Sequence, residues 1–119
     1  MDIFCKIMNN ELPSYTIYED NIVKVILDTD QTSIGHCLIL PKKHYQDLYD
    51  IDNETLSHIN IISRDICNLL TEKLGCKGIT LVQNNGINQE VKHYHLHIIP
   101  KYDYNISLNL EQTYEKITK

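Results

Sequence analysis

The chain has 119 residues, of which 42% are hydrophobic and 23% are charged, and its net charge is −5. This length predicts a single domain, residues 1–119, with one hydrophobic core. The acidic balance argues against a nucleic-acid partner, because binding to a phosphate backbone requires a basic surface. The chain has no apolar run long enough to span a membrane and no signal-peptide pattern at its start, so we expect no membrane partner. Four scattered cysteines without a C-x-x-C pair are typical of reduced thiols and predict a cytoplasmic protein.

The first part of the chain predicts a short helix followed by three strands. In chain order, we expect the helix at residues 3–9 and the strands at 15–18, 22–27 and 36–40, with Pro41 ending the third. Residues 28–35 are polar and contain a glycine, which indicates a loop. The short connections between these strands favour antiparallel pairing.

Residues 52–74 have the periodicity of one long amphipathic helix. Asp52 fits its N-cap, and Gly75 fits the glycine that follows a helix. Apolar residues recur at spacings of three and four, which gives one apolar stripe: Ile59, Ile62, Ile66, Leu69, Leu70 and Leu74.

The remaining elements complete a fold of the α+β class. A strand at 79–82, a polar loop at 83–92 and a last strand at 93–102 follow the long helix, and the tail after residue 102 is only weakly amphipathic. Consecutive strands with one inserted helix predict a five-stranded antiparallel meander, packed against the long helix and accompanied by a short N-terminal helix.

Histidines on alternate residues are the main functional signal. His93, His95 and His97 share one face of a strand, because side chains alternate between faces, while Tyr94, Leu96 and Ile98 would cover the other face. Imidazoles titrate near neutral pH, so this row supplies candidate acids, bases, nucleophiles or metal ligands. A solvated surface row and a His₃ zinc site are alternatives. Same-face residues lie about 6.5 Å apart along a strand, however, which suits a phosphate chain better than one ion.

The segment from His93 to Ile99 resembles the histidine triad family of nucleotide-binding proteins, whose signature is His-φ-His-φ-His-φ-φ, with φ apolar. Three further segments resemble the family in the same order, so that the resemblance covers residues 3–102: Ile3-Phe4-Cys5-Lys6-Ile7 with Glu11-Leu12-Pro13, the stretch from Gly35 to His44, and Asn84-Asn85-Gly86 with Gln89-Glu90-Val91. The resemblance is greatest to the branch that hydrolyses nucleoside phosphoramidates, and it implies a homodimer.

The resemblance implies catalytic roles for four histidines. His95 would be the nucleophile that attacks the α-phosphorus of a nucleotide. Its second ring nitrogen should donate to a fixed acceptor, most simply a backbone carbonyl. His97 would hydrogen-bond the phosphate or the leaving group, and His93 and His36 would orient these rings. The chemistry requires no metal or other cofactor.

The resemblance also implies a nucleotide-binding set on several segments. An acidic residue would accept hydrogen bonds from the ribose, apolar residues would enclose the base, and a polar loop would hold the α-phosphate. We expect the Glu90 carboxylate to turn outward, because it would repel a phosphate. A turn cap at Asp28 and plain core for the apolar positions are the competing interpretations of the residues alone. The set comprises Asp28, Thr29, Phe4, Ile7, Leu12, Ile26, Asn84, Gln89, Glu90 and Val91.

A structural zinc site is a further expectation from the resemblance. Related bacterial members bind zinc through a C-x-x-C motif and two histidines that match His44 and His93. Here Asp2 stands at the first cysteine position and Cys5 at the second, and aspartate can ligate zinc. A small buried thiol is the alternative interpretation of Cys5.

The sequence therefore predicts a nucleotide hydrolase that cleaves the P–N bond of purine nucleoside 5′-phosphoramidates through a nucleotidyl-histidine intermediate. A dinucleoside polyphosphate hydrolase and a non-catalytic nucleotide-binding module are the alternatives. The expected partner is a purine nucleotide or a nucleoside phosphoramidate.

Overall fold

The structure is a computed structural model that describes residues 2–119. All five strands pair antiparallel in one sheet, so the α+β class and the five-stranded antiparallel sheet are confirmed. In chain order the elements are α1 (Ile3–Met8), β1 (Thr16–Glu19), β2 (Val23–Leu27), β3 (Cys37–Pro41), α2 (Asn53–Leu74), β4 (Gly78–Val82), a 3₁₀ turn (Gly86–Asn88), β5 (Leu96–Lys101) and α3 (Leu110–Thr118).

The strand order, β1-β2-β3-β5-β4, departs from a simple meander at one point. The long helix α2 connects β3 to β4 and delivers β4 to the edge of the sheet. The chain then returns, and β5 pairs with β3 on one side and with β4 on the other. The last strand therefore lies inside the sheet, beside β3.

Both faces of the central strands are covered, so every residue of β2 and β3 is buried, including Lys24. Val25 and Ile39 lie in the larger core under α2, whereas Ile26 and Leu38 lie in a smaller cluster with Phe4 of α1. The alternation along each strand thus separates two apolar layers. The α1 layer is thin, and the functional residues described below lie on that side of the sheet.

The predicted long helix is confirmed together with both of its caps. The Asp52 side chain accepts a hydrogen bond from the Thr55 N–H at 2.8 Å, and Gly75 ends the helix with a φ of +70°. Leu69 of the predicted stripe is partly buried, and the others are buried. None of the helices within residues 2–119 has the length and apolar character of a membrane span.

The helix α3 is a feature that the sequence interpretation missed. It begins with a capping box, in which Asn109 accepts from the Gln112 N–H at 2.8 Å and the Gln112 side chain accepts from the Asn109 N–H at 2.9 Å. Ile117 is buried against the larger core, and Tyr114 packs on Tyr15. The Asn-x-x-Gln spacing was a usable signal for this helix start.

The last strand begins later than predicted. We expected a strand from residue 93, but β5 begins at Leu96, where pairing with Ile39 of β3 starts. The Tyr94 N–H donates instead to the Tyr45 carbonyl at 2.7 Å, outside the β3 ladder. Only His97 of the three histidines therefore lies within a strand, and His93 and His95 lie in the segment before it.

Candidate active site

Side chains alternate along residues 93–98, so that the imidazoles and the apolar side chains lie on opposite sides. Tyr94, Leu96 and Ile98 lie in the larger core, as predicted. On the opposite side, the Phe4 ring of α1 contacts the rings of both His93 and His95, with centroids 5.8 and 4.9 Å away. The three imidazoles do not form one row toward a single ligand, however, because the first and third belong to separate clusters.

His95 is held in one tautomer by the backbone. Its Nδ1 lies 2.8 Å from the His93 carbonyl oxygen, and the residue is only 6% exposed. A carbonyl can only accept, so Nδ1 carries the proton and Nε2 keeps its lone pair. The arrangement matches the expected carbonyl acceptor and leaves Nε2 as a competent nucleophile.

A series of hydrogen bonds from the Asp30 carbonyl through His36 also fixes the tautomer of His97. The His36 Nδ1 lies 3.1 Å from the Asp30 carbonyl oxygen, so in the neutral ring Nδ1 donates and Nε2 accepts. The His97 Nδ1 lies 3.0 Å from that Nε2 and donates to it. This series therefore leaves the lone pair of His97 on Nε2. Sequence reasoning missed the Asp30 carbonyl, because a backbone acceptor has no side-chain signature.

The surroundings of His97 disfavour its protonated form. Burial, assisted by the neighbouring rings of His95 and His36, lowers the pKa of His97 to about 4, while the Asp28 carboxylate opposes the shift. The Asp28 carboxylate belongs to the same cluster, because its Oδ2 lies 3.7 Å from the His36 Nε2. The free protein thus keeps a neutral imidazole at this position.

A cavity of about 600 Å³ lies between α1, the segment that follows it and the β2–β3 loop, and Asp28 is the residue of this cluster that lines it. Its size suits a small organic ligand such as a nucleoside. Six predicted positions line it together: Phe4, Ile7, Leu12, Ile26, Asp28 and Thr29. Six further wall residues were missed, because pocket wall and core look alike in sequence: Ile3, Pro13, Ser14, Tyr15, Leu27 and Leu38.

The predicted phosphate-binding residues lie outside that cavity, on the loop that precedes the histidines. The Asn84 side chain accepts from Asn88, and the buried Gln89 donates to the Gln46 carbonyl. Val91 packs against the α1 cluster, and Glu90 is exposed, as we expected for its carboxylate. The Gln89 Oε1 is buried without a hydrogen-bond partner among residues 2–119.

A second cluster gathers the four predicted metal ligands. The Cys5 Sγ lies 3.3 Å from the His44 Nδ1 and 3.5 Å from the His93 Nδ1. The Asp2 Oδ2 lies 3.2 and 3.5 Å from the same two nitrogens. Tetrahedral zinc with bonds of about 2.0–2.3 Å places its ligand atoms about 3.3–3.8 Å apart. The donor set and its spacing therefore fit a zinc ion.

The hydrogen bonds around this cluster support the same fit. The His93 Nε2 lies 3.0 Å from the Pro41 carbonyl oxygen, which leaves the Nδ1 lone pair on the cluster. Burial lowers the pKa of His93 and favours the neutral ring that a metal requires. Burial and the Asp2 carboxylate raise the pKa of Cys5, which opposes the fit, because zinc binds the thiolate. Burial opposes ionisation of Asp2, but the Cys5 N–H and nearby His93 outweigh it and lower the pKa of Asp2.

Comparisons with known proteins agree with this geometry. The HIT domain family matches residues 9–104. An uncharacterised HIT-like protein of Methanocaldococcus jannaschii is 42% identical over 106 residues, which cover 87% of this chain and 81% of that protein. The adenosine 5′-monophosphoramidase of Saccharomyces cerevisiae is 39% identical over 103 residues, or 85% of this chain and 63% of the yeast protein.

Solved structures share the whole fold. A zinc-bound histidine triad family protein from Mycobacterium smegmatis superposes with a TM-score of 0.90 at 29% identity. The alignment covers 98% of this chain and 89% of the mycobacterial chain.

The depressed pKa of His97 predicts a pH-dependent stability. The unfolded chain binds a proton at this residue near pH 6.5, whereas the folded ring resists it down to about pH 4. The unfolded state therefore holds more protons between these values, and the free energy of unfolding falls as pH falls. Because the ring is partly open to solvent, we expect His97→Asn to remove on the order of 1–2 kcal/mol of this dependence. Urea unfolding across this pH range measures it, and a variant profile parallel to the original would contradict the assignment.

Proposed function

This chain belongs to the HIT domain family of nucleotide-binding hydrolases, and from that membership we propose that it cleaves the P–N bond of purine nucleoside 5′-phosphoramidates. The yeast relative named for this activity supports the proposal. The observation that carries it is the fixed tautomer of His95, which leaves the lone pair on Nε2 and whose ring contacts Phe4, a residue of the cavity wall.

In the proposed first step, the His95 Nε2 attacks the α-phosphorus. A bond forms between that nitrogen and phosphorus, and the bond from phosphorus to the amine breaks. An amide anion is a very poor leaving group, so the departing nitrogen needs a proton, which His97 supplies from Nε2. The anionic phosphate beside His97 favours its protonation in the complex, against the low pKa of the free ring.

In the second step, water displaces His95 from phosphorus. The neutral His97 Nε2 accepts a proton from the water as its oxygen bonds to phosphorus, and the bond between phosphorus and His95 breaks. The nucleoside monophosphate leaves, and His97 again carries the proton that it gave to the amine. The hydrogen bond to the His93 carbonyl stabilises the positive charge that His95 carries when both of its nitrogens are bonded.

The cavity supports a nucleoside as the recognised part of the substrate. Its walls are largely apolar and suit a purine base, with Ile7 and Ile26 among them. Asp28 lines the cavity, and its Oδ1 accepts from the Asp30 N–H at 2.9 Å. Its Oδ2, which lies 3.7 Å from the His36 Nε2, is the oxygen that would accept from ribose hydroxyls. Asn84, Gln89, Glu90 and Val91 stay a predicted phosphate-binding set, with the backbone N–H groups of the last two as the expected donors.

Substrate comparison separates the candidate functions. We expect faster turnover of adenosine 5′-phosphoramidate than of diadenosine tetraphosphate. The reverse preference would favour the dinucleoside polyphosphate hydrolase. Binding of AMP without turnover of either compound would favour a regulatory nucleotide-binding module. The predicted cytoplasmic location stays a prediction.

Variants of the two histidines test the proposed steps. We expect His95→Ala to abolish hydrolysis, and His97→Ala to lower kcat for the phosphoramidate by about 10²–10⁴-fold. The loss in His97→Ala should be much smaller with a p-nitrophenyl ester of AMP, because nitrophenolate leaves without a proton. Rates for both substrates, together with mass-spectrometric mapping of an acid-quenched nucleotidyl adduct, measure these effects.

The control is His58→Ala, which removes a histidine from α2 outside the site. It should retain both activities. An adduct on a residue other than His95, or equal losses of His97→Ala on the two substrates, would contradict the assigned roles.

We also propose that the second cluster holds a structural zinc ion through the Asp2 Oδ2, the Cys5 Sγ and the Nδ1 atoms of His44 and His93. Four protein ligands leave no open position, so the ion would stabilise α1 and the start of the histidine segment rather than take part in the reaction. The zinc-bound mycobacterial structure supports this proposal.

Metal analysis tests the site independently of activity. We expect one zinc ion per chain after purification with added zinc, and a loss of that ion in the double variant Cys5→Ala/His44→Ala. Cys67→Ala, which removes a half-buried thiol elsewhere, should retain it. Substitution with cobalt should give a thiolate charge-transfer band that is absent from the double variant. Equal metal content in the double variant would contradict the site.

The homodimer implied by the resemblance stays a proposal, and the edge of the sheet offers a surface for it. β4 forms an edge of the sheet, and Leu81 on it and Ile61 on α2 are about half exposed. An unpaired strand edge with apolar side chains is suited to pairing with a second copy. We expect sedimentation of a dimer for the unmodified chain and of a monomer for Leu81→Glu, whereas Tyr104→Glu, at another exposed position, should stay dimeric. A monomeric unmodified chain would overturn the proposal.

A further inference from the structure

The β2–β3 loop, residues 28–36, carries two site residues at its ends. Asp28 lines the cavity, and His36 begins the hydrogen-bonded chain to His97. The two ends of the loop are joined directly, since the Asp28 N–H donates to the His36 carbonyl at 3.0 Å. The geometry of the loop therefore sets the relative positions of the two side chains.

One side chain inside this loop bonds to both of its ends. The Gln31 Nε2 donates to the Asp28 carbonyl at 2.6 Å and to the His36 carbonyl at 2.8 Å. The Gln31 Oε1 accepts from the Gly35 N–H at 2.8 Å. Both N–H bonds of the amide and its oxygen are therefore used within the loop.

Anchoring Gln31 also fixes the acceptor that sets the His36 tautomer. The Asp30 carbonyl belongs to the peptide bond that joins Asp30 to Gln31. The Gln31 side chain is bonded to both ends of the loop, and this attachment restricts rotation of the peptide plane between Asp30 and Gln31. The Asp30 oxygen then stays 3.1 Å from the His36 Nδ1, and the proton stays on that nitrogen.

General attachment of the loop does not depend on Gln31. The Ser33 Oγ donates to the Pro100 carbonyl, and the Tyr102 hydroxyl donates to the Ile34 carbonyl at 2.6 Å. These two bonds tie the far side of the loop to β5 and the residue after it. The hydrogen bonds of Gln31 instead lie at the ends of the loop that carry Asp28 and His36. Loss of these bonds should therefore disturb the site, whereas loss of the other two should loosen the attachment of the loop to β5.

We propose that Gln31 is a positioning residue for the reaction: it holds His36 in the tautomer that keeps the lone pair of His97 on Nε2, facing the substrate phosphate. The residue touches neither substrate nor the reacting atoms, and it acts through the Asp30 carbonyl and His36. This role rests on the proposed function, because His97 has a proton to transfer only if the chain is a hydrolase.

Two substitutions isolate the donor groups of Gln31. Gln31→Glu keeps the shape and the acceptor for Gly35 but loses both donors, and it places a carboxylate against two carbonyl oxygens. Gln31→Met keeps similar volume without any hydrogen bond. Thr32→Glu adds the same charge at the exposed neighbouring position, and Ser33→Ala removes a tether of the loop to β5.

The first readout needs no substrate. Long-range proton–nitrogen NMR spectra distinguish a protonated ring nitrogen from a bare one at His36 and His97. We expect the unmodified chain, Thr32→Glu and Ser33→Ala to have Nδ1-protonated rings at both positions, and both Gln31 variants to show mixed tautomers. Unchanged tautomers in folded Gln31 variants would overturn the proposal.

The second readout is kinetic. We expect both Gln31 variants to lower kcat for adenosine 5′-phosphoramidate by about 10–100-fold, with KM changed by less than about threefold, because the effect falls on proton transfer. Equal kcat losses in Ser33→Ala would indicate a structural role only and would overturn the proposal. If the unmodified chain has no hydrolytic activity, the proposed function fails, while the tautomer measurement still decides whether Gln31 fixes His36.

Discussion

The hydrogen bond from the His95 Nδ1 to the His93 carbonyl is the contact on which the rest of the site depends. Both residues lie just before β5, outside its ladder with β3. The residue between them, Tyr94, donates its N–H to the Tyr45 carbonyl, which fixes the backbone at this point. The ring whose Nε2 is left bare therefore lies where the pairing between β3 and β5 has ended, in contact with Phe4 of the cavity wall.

His93 also explains why three alternate histidines serve two separate clusters. Its carbonyl serves the candidate nucleophile, while its ring joins Asp2, Cys5 and His44. His97 lies four residues further on and joins Asp28 and His36 instead. The spacing along an extended chain is too wide for one ion but sufficient for two neighbouring sites. None of the residues that line the cavity within the described part of the chain is Lys, Arg or His, so the proposed phosphate position lies outside the cavity, toward the imidazoles and the backbone N–H groups of the preceding loop.

The sequence predicted most of the fold, and the exceptions have physical causes. Periodicity and caps located α2 correctly, because an amphipathic helix with Asp52 and Gly75 at its ends is determined by local interactions. The start of β5 was wrong, since Tyr94 pairs with a residue far away in the chain, which no local pattern reveals. The helix α3 was missed although its capping box was visible, because the apolar stripe of the tail is weak.

The cavity residues and the histidine face could be predicted from the sequence, but the hydrogen bonds of the β2–β3 loop could not. The resemblance brought together six cavity residues that lie on separate segments, from Phe4 to Thr29. Side-chain alternation predicted which face carries the imidazoles. Neither method could find Gln31 or the Asp30 carbonyl, because their importance lies in hydrogen bonds within an irregular loop, and these follow from the folded backbone alone.

The two oxygens of Asp2 have separate tasks, which bears on how the protein would fare when zinc is scarce. One oxygen accepts from the Cys5 N–H at 2.7 Å and starts α1, while the other lies against the two histidines. The first bond forms entirely within the polypeptide, so the helix that brings Phe4 and Ile7 to the cavity does not owe its beginning to an ion. Without the proposed zinc, α1 would therefore keep its cap and its part of the cavity wall, whereas the half-exposed ring of His44 would lose a ligand contact.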